Sequence, residues 1–215
     1  MSALDEFKQV YSKPGALWTR RELPKIVLDV LGERAPKPGS SLDIACGEGF
    51  YSIELSKRNF RTIGIDFSED AIRYARQNAA EANSQVDFRV MDVKNLKKLG
   101  AKFDFLLEWG LLHHLTDEEV EEYTPKVPSV KNSTGKYLSV SFDISSPIYG
   151  SPGQKVRRTS IGTTLYYRSA EELIKIFNPY FKIIRTESVD LIGRSPATGK
   201  DIAHPGNAFL LEKKD

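Results

Sequence analysis

Acidic and glycine residues follow the first three short apolar segments in the middle of the chain. Asp43 lies in the first segment, and Gly47 and Gly49 follow it, where two glycines let the main chain turn tightly and approach a ligand. Asp66 ends the second segment, where a carboxylate can accept hydrogen bonds from both ribose hydroxyls of a nucleoside. Asp92 follows the third segment, where a carboxylate can accept a hydrogen bond from an adenine amino group. These residue types favour a site for a nucleoside-containing ligand.

The fourth apolar segment leads into the sequence EWGLLHHL at 108–115. It contains Glu108, His113 and His114, and histidine can accept a proton near neutral pH. The two histidines are candidates for a catalytic base or a substrate contact, and they equally suit a helix start beside a pocket. Any one of these acids alone is typical of a solvated loop, and we expect His204, in a turn before the last strand, to be exposed. Four groups in strand order favour a common site.

Strands and helices alternate through the region that carries these groups. Short apolar segments predict strands at 41–45, 61–66, 86–90, 103–108, 136–142, 181–189 and 208–212. Ser68 is a predicted N-cap, and two capping boxes, Thr116 with Glu119 and Ser169 with Glu172, predict later helices. This alternation predicts a doubly wound α/β domain with a mostly parallel sheet and helices on both faces. Ligands bind such sheets beyond the carboxyl ends of the strands, which is where the polar groups lie.

The chain has no repeat and no obvious break, so we expect one domain in four parts. These are an N-terminal helical cap at 1–38, a cofactor-binding core at 39–142, a lid loop at 143–168 and the C-terminal part of the sheet at 169–215. The 143–168 segment is rich in Ser, Pro and Gly. Structureless loops of this length are uncommon in compact domains and are usually functional or disordered.

The two segments outside the core supply the candidate substrate-binding residues. Tyr11 and Trp18 belong to the cap, and Arg157 and Tyr167 belong to the lid. The aromatic residues of the cap either fold over a pocket or anchor the first helix on the core. The basic residues of the lid either meet an anionic acceptor or keep a mobile loop soluble.

Composition narrows the class of protein. Among 215 residues, 31 are basic and 29 acidic, and the formal charge of +2 argues against a broad nucleic-acid-binding face. The single cysteine, Cys46, allows no internal disulfide and no multi-cysteine metal site, and we expect no metal. No segment approaches the ~20 apolar residues of a membrane span, and the first residues are unlike a secretory signal. We expect a cytoplasmic monomer or homodimer without nucleic-acid or membrane partners.

Several segments in order resemble the class I S-adenosylmethionine-dependent methyltransferases. They are LDIACGEGFYSIEL, GIDFSEDAIRYAR, DFRVMDVKNL, FDFLLEWGLLHHL and, more loosely, GKYLSVSFD, which together cover roughly residues 40–142. The resemblance implies a Rossmann-like sheet of seven strands whose last strand is antiparallel. It also implies S-adenosyl-L-methionine as the cofactor and S-adenosyl-L-homocysteine as the product.

The resemblance assigns the methionine part of the cofactor to the first and fourth strands. Asp43 and the turn with Ala45, Gly47 and Gly49 would cradle the amino-acid part. Glu108 would lie beneath the methionine portion and the methyl group.

The resemblance assigns the nucleoside part to the second and third strands. Asp66 would hold the ribose, and Phe67 would pack on the adenine. Asp92 with Val93 would contact the adenine edge. Cys46 occupies a position where the family often carries cysteine, so we expect it to pack rather than react.

A nicotinamide dinucleotide enzyme is the nearest alternative from the same motif. Its GxGxxG fingerprint needs a third glycine, and this chain has Ser52 at that position. Glu48 would also put an anion where a pyrophosphate should sit. An acidic loop suits the sulfonium and ammonium charges of S-adenosylmethionine better.

Three hypotheses about the acceptor remain. A small-molecule acceptor is favoured because the additions to the core are limited to one cap and one lid. A protein or RNA acceptor is disfavoured by the balanced charge. The Asn/Asp-Pro-Pro-aromatic signature of amide- and adenine-methylating enzymes is also replaced here by the EWGL sequence at 108–111. A non-catalytic binding subunit is disfavoured by the intact set of acids and glycines. In all cases we expect in-line methyl transfer, for which the protein orients the reactants and excludes water.

Overall fold

The computed structural model of the chain describes residues 3–33, 39–195 and 198–214. The predicted boundary after residue 38 lies outside the described residues. The strands are Ser40–Ile44 (β1), Arg61–Asp66 (β2), Asp87–Val90 (β3), Phe103–Trp109 (β4), Lys131–Phe142 (β5), Val156–Arg158 (β6), Thr164–Tyr166 (β7), Phe181–Arg194 (β8) and Asp201–Lys213 (β9). The α-helices are Ala3–Val10 (α1), Lys25–Glu33 (α2), Phe50–Lys57 (α3), Glu69–Glu81 (α4), Asp117–Tyr123 (α5) and Ala170–Phe177 (α6), and short 3₁₀ helices span Val93–Leu99, Leu112–His114 and Thr124–Val130.

Seven of these strands form one sheet in the order β3–β2–β1–β4–β5–β9–β8. Strand β9 is antiparallel to both of its neighbours, and the other pairs are parallel. The predicted Rossmann-like sheet with an antiparallel last strand is therefore confirmed. The strand order reverses between β1 and β4, and ligands bind open α/β sheets at such a switch point.

The sheet is covered on both faces because successive side chains of a strand point to opposite sides. In β4, Leu106 packs in the cluster that includes side chains of α5 and α6. Its neighbours Phe105 and Leu107 pack in the cluster that includes side chains of α2 and α3. A strand buried on both faces must be apolar nearly throughout, which is the pattern that predicted it.

The predicted helix starts are present. Ser68 accepts a hydrogen bond from the Ala71 amide at the start of α4, and both capping boxes form at the starts of α5 and α6. Strands β5, β8 and β9 are longer than predicted. Residues 143–168 are also not a structureless loop, because β6 and β7 pair within them as an antiparallel ribbon.

Arg157 organises this ribbon segment. Its buried guanidinium donates hydrogen bonds to the carbonyls of Ile144, Ser146 and Ile148 at 2.6–3.0 Å and to the carbonyl of Gln154 at 2.9 Å. The same group lies 3.8 Å from the ring centroid of Tyr167. A buried charge is tolerated when it is hydrogen-bonded, and here it donates to four main-chain carbonyls. Two of them also accept from the segment itself, Ile144 from the Gly153 amide and Ile148 from the Tyr167 hydroxyl.

Replacing this guanidinium should therefore loosen the segment. We expect Arg157→Met to remove four hydrogen bonds, to leave the carbonyls of Ser146 and Gln154 without a donor, and to destabilise the segment by about 2–4 kcal/mol. Hydrogen exchange of the amides in 143–168 measures the effect, which should be much faster exchange there and unchanged exchange in β1 and β2.

Arg158→Met is the matched control, because the Arg158 side chain is 59% exposed and makes one contact with Glu6 at 3.5 Å. It should change exchange in the ribbon far less. Equal protection in Arg157→Met and the wild-type protein would contradict the structural role of Arg157.

Candidate functional site

A cavity of about 240 Å³ lies along the carboxyl ends of the parallel strands, beneath the N-terminal segment and the β6–β7 ribbon. Twelve of the fifteen sequence-predicted site residues line it: Tyr11, Trp18, Asp43, Ala45, Gly47, Gly49, Asp66, Phe67, Asp92, Val93, His113 and His114. The other three, Glu108, Arg157 and Tyr167, do not line it.

The turn after β1 brings the main chain to the cavity wall. Ala45, Gly47 and Gly49 have φ values of 59°, 52° and 80°, in the left-handed region that favours glycine. A Cβ at Gly49 would lie 2.5 Å from the Phe88 ring and 2.8 Å from the Cβ of Ala75. Glycine is thus required at Gly49 by both conformation and space, as the sequence predicted for the turn.

Two buried carboxylates face the cavity from β1 and β2. Asp43 accepts a hydrogen bond from the Ser52 hydroxyl at 2.6 Å, and burial raises the pKa of its carboxyl to about 7. Asp66 accepts hydrogen bonds from the amides of Gly47 and Ser68, both at 2.9 Å, and burial raises its pKa to about 6. Within the described ranges, neither carboxylate forms an ion pair with a basic side chain. A cationic or hydroxyl-bearing ligand would satisfy the acceptor positions that remain.

The residues after β2 and β3 form the next part of the wall. The Phe67 ring meets the Phe7 ring of α1 at a centroid distance of 5.4 Å and an angle of 76°. Asp92 is exposed, and its carboxylate accepts a hydrogen bond from the Lys94 amide at 2.8 Å, so it caps the 3₁₀ helix that begins at Val93.

Glu108 is a correction to the predicted site. Its carboxylate is fully buried behind the cavity, where it accepts hydrogen bonds from the Tyr137 hydroxyl at 2.6 Å and the Ser139 hydroxyl at 3.0 Å. Burial raises the pKa of the Glu108 carboxyl to about 7. The side chain therefore belongs to the core beneath the site rather than to the cavity wall.

His113 is held in one tautomer. Its Nδ1 accepts a hydrogen bond from the Phe142 amide at 3.2 Å, and the two rings stack at a centroid distance of 3.8 Å. Burial holds its pKa well below the usual value, so the ring is neutral and carries its proton on Nε2. His113 is consequently a hydrogen-bond donor, which favours the substrate contact over the base among the two predicted roles.

His114 lies beside His113 and packs against aromatic side chains. Its ring centroid is 5.0 Å from that of Phe7 and 6.0 Å from that of Trp18. Burial lowers its pKa to about 4, although a hydrogen bond to the main chain of Thr164 partly opposes this shift. The neutral ring therefore forms part of an apolar wall.

Glu48 fastens the N-terminal segment over the turn. Its carboxylate accepts hydrogen bonds from the Gly15 amide at 2.6 Å and from the Thr19 hydroxyl. The Tyr11 hydroxyl lies over Gly47, 3.0 Å from where a Cβ would be. Glu48 lines the cavity, as the predicted acidic loop requires, and its carboxylate also holds residues 15–19, which was not predicted.

A second carboxylate ties α1 to the ribbon. Glu6 accepts hydrogen bonds from the amide and the hydroxyl of Thr164, at 2.9 and 3.1 Å. The N-terminal segment and the ribbon thus form one continuous roof over the cavity. Arg157 and Tyr167 hold the ribbon together from behind and do not reach the cavity, so the prediction that they bind substrate is also corrected.

His204 lines the cavity, and the prediction that it is exposed is wrong. It is 4% exposed and lines the cavity, whereas an exposed turn was predicted. The reason is the length of β9, which begins at Asp201, well before the apolar segment that indicated the strand. Phe142 and Tyr149 line the cavity on either side of His204, and neither was predicted. Alternation of inward residues back from Ala208 through Gly206 is the signal that points to His204.

Proteins with sequences similar to this chain include methyltransferases. The family described as "Methyltransferase domain" matches residues 42–135. A ubiquinone biosynthesis O-methyltransferase of Hahella chejuensis is 33% identical over 98 residues, or 45% of this chain and 41% of that protein. An Agrobacterium fabrum protein of the same description is 30% identical over 178 residues, or 81% of this chain and 64% of that protein. The chain thus spans less than two thirds of the length of either relative.

A solved structure agrees with this fold. A SAM-dependent methyltransferase from Anabaena variabilis has a TM-score of 0.76 to this chain at 18% identity, covering 100% of this chain and 96% of that chain. At this identity the likeness concerns the fold alone. None of the described helices is long and apolar enough to cross a membrane. Among the same residues, no group of three or more His, Cys, Asp or Glu side chains is arranged to hold a metal ion.

The role of Glu48 as an anchor can be tested directly. We expect Glu48→Ala to remove two acceptors and to lower the opening free energy of the N-terminal segment by about 2 kcal/mol, or about 30-fold faster amide exchange over 11–20. Hydrogen exchange followed by mass spectrometry measures this change. Glu121→Ala, at an exposed position of α5, serves as the control and should leave 11–20 unaffected. Unchanged exchange in Glu48→Ala would argue against the anchor.

Proposed function

We propose that the chain is a class I S-adenosylmethionine-dependent methyltransferase that transfers the methyl group of S-adenosyl-L-methionine to an oxygen atom of a small molecule. The observation that carries the proposal is the pair of buried carboxylates, Asp43 and Asp66, beside the glycine turn in a roofed cavity. Oxygen is proposed as the acceptor atom because the two relatives described above are O-methyltransferases.

The residues present fit the proposed cofactor. Asp43 and Asp66 are buried acceptors without a basic partner among the described residues, and the cofactor carries an ammonium group, a sulfonium group and two ribose hydroxyls. In this proposal Asp43 and the amides of the turn hold the amino-acid portion, and Asp66 accepts from the ribose hydroxyls. Phe67 and Val93 pack on the adenine, and Asp92 accepts from its amino group.

In the reaction, the protein orients the cofactor and the acceptor and encloses them. When bound, the cofactor supplies a methyl group that is already activated for displacement. The roof formed by the N-terminal segment and the ribbon excludes water from the reacting atoms. His113 donates a hydrogen bond from Nε2 and helps to orient the ligand bound above the carboxyl end of β4. Holding the reactants in line for attack accounts for a large part of the rate gain in such reactions.

A small acceptor is favoured over a macromolecule. The roof is anchored at Glu6 and Glu48, and it covers the cavity instead of leaving an open groove for a peptide or nucleic-acid strand. In this proposal residues 1–215 act as one domain, and the 143–168 segment acts as a lid. A cytoplasmic location and a monomer or homodimer stay predictions from the sequence.

Calorimetric titration tests the proposed cofactor. We expect micromolar binding of S-adenosylmethionine and S-adenosylhomocysteine to the wild-type protein, and no measurable binding of NAD or NADP. Asp66→Ala should weaken both adenosyl ligands by about 100-fold, because the ribose hydroxyls lose a buried charged acceptor. Asp70→Ala, at the exposed start of α4, is the control and should bind normally. Binding of NAD, or of none of the four, would overturn the proposal.

The raised pKa of Asp43 predicts a pH dependence of cofactor affinity. The carboxyl must be ionised to attract the ammonium group, and its pKa in the protein is about 7. Between about pH 7.5 and pH 6 the ionised fraction falls about eightfold, so affinity should fall by the same factor and binding at pH 6 should release a proton.

Titration in two buffers of different ionisation enthalpy measures the proton release. Asp43→Asn should bind more weakly at pH 7.5 and should lose this part of the pH dependence. An affinity that rises as the pH falls would contradict the assigned role of Asp43.

A further inference from the structure

The cavity has an acidic half and an aromatic half. The acidic residues that line it are Asp43, Glu48, Asp66, Asp92 and Glu119. All of them come from β1, β2, β3 and their flanking elements or from α5, which is the half proposed above for the cofactor. The other half lies over β5, β9 and β8. Within the part of the chain that the structure describes, no acidic residue lines this half. An acceptor bound there meets no carboxylate, so a cationic amine is disfavoured.

His204 stands at the centre of the aromatic half. Its ring is stacked between Phe142, at a centroid distance of 4.8 Å, and Tyr149, at 5.7 Å. Phe142 in turn stacks on His113 and on Tyr167. The faces of these rings are therefore occupied by one another, and their edges are left to contact an acceptor. The two nitrogens of an imidazole lie on its edge.

The His204 ring has no hydrogen-bonding partner within the described residues. Its Nδ1 is buried and unpaired, and no hydrogen bond to Nε2 is present. A buried polar atom without a partner costs about 1–3 kcal/mol, a cost that a bound ligand with a hydroxyl would relieve. Burial also lowers the pKa of His204, so the ring is neutral and holds one free lone pair.

The other two histidines do not offer this lone pair to the aromatic half. Nδ1 of His113 is occupied by the Phe142 amide. Nδ1 of His114 is also buried and unpaired, but its ring packs against Phe7 and Trp18 of the N-terminal segment rather than against Phe142 and Tyr149. Of the three histidines of the chain, His204 is thus the one that combines an unpaired nitrogen with a place between the rings of the aromatic half.

The chemistry of the lone pair narrows the class of acceptor. A neutral imidazole of lowered basicity removes a proton readily only from a fairly acidic hydroxyl. Hydroxyls on aromatic carbon have pKa values of about 10, as in tyrosine, whereas those of alkanols are far higher. The edges of aromatic rings also pack favourably on the face of another ring. Both considerations favour an aromatic molecule with a ring hydroxyl.

We propose that His204 binds the hydroxyl of a small hydroxyarene and accepts its proton during methyl transfer. This inference rests on the proposed function. The hydroxyl proton passes to the imidazole lone pair, and an oxygen lone pair forms the bond to the methyl carbon. The carbon–sulfur bond of the donor breaks, and its electron pair stays on sulfur. The imidazolium then releases the proton to water.

The test uses para-nitrophenol, whose phenolate is coloured, and para-nitroanisole, which has the same ring but no proton to give. Both are titrated into the full chain saturated with S-adenosylhomocysteine. We expect the wild-type protein to bind para-nitrophenol and to raise its phenolate fraction at about pH 6. His204→Phe keeps a ring between Phe142 and Tyr149, and it should bind para-nitrophenol about tenfold more weakly and abolish the phenolate signal. Binding of para-nitroanisole should change less than twofold.

His204→Gln separates hydrogen bonding from proton transfer. It should retain part of the affinity for para-nitrophenol, since the amide oxygen accepts a hydrogen bond, but it should not raise the phenolate fraction. Equal affinity and equal phenolate signal in His204→Phe and the wild-type protein would overturn the inference, as would failure of the wild-type complex to bind para-nitrophenol. Failure of S-adenosylhomocysteine itself to bind would instead reject the proposed function, so the two failures are distinguishable.

Discussion

The carboxylate of Asp66 joins the two loops on which the whole site is built. It accepts one hydrogen bond from the Gly47 amide, in the turn after β1, and one from the Ser68 amide, at the start of α4. Each loop is thereby held at the edge where the strand order reverses. The carboxylate does this while buried, and the cost of burial appears as its raised pKa. A group under this constraint is well placed to gain from a ligand that brings hydroxyl donors.

The roof depends on the same kind of interaction. Glu48 holds residues 15–19 from the turn after β1, and Glu6 holds the β6–β7 ribbon from α1. Arg157 does the same with the opposite charge, because its buried guanidinium donates hydrogen bonds to main-chain carbonyls of the ribbon segment. These contacts hold the N-terminal segment and the ribbon over the same edge of the sheet.

Local patterns in the sequence predicted the parts of the structure that local forces determine. Buried strands, the two capping boxes and the glycine turn each follow from residues within a few positions of one another, and each is present. The role of Glu48 depends on Gly15, 33 positions away, and that of Glu6 on Thr164, 158 positions away, so neither could be predicted. Glu108 was misplaced for the same reason, since its partner Tyr137 comes from another strand, whereas the environment of His204 was missed because β9 begins earlier than its apolar segment indicates.

In the proposed function, the edge between β1 and β4 holds S-adenosylmethionine with its ribose on Asp66. A crystal structure of the protein with S-adenosylhomocysteine would show this arrangement. We expect both ribose hydroxyls within hydrogen-bonding distance of the Asp66 carboxylate and the amino-acid end beside Asp43 and the glycine turn. A ligand bound elsewhere, or bound in the cavity with its ribose away from Asp66, would refute the proposed function.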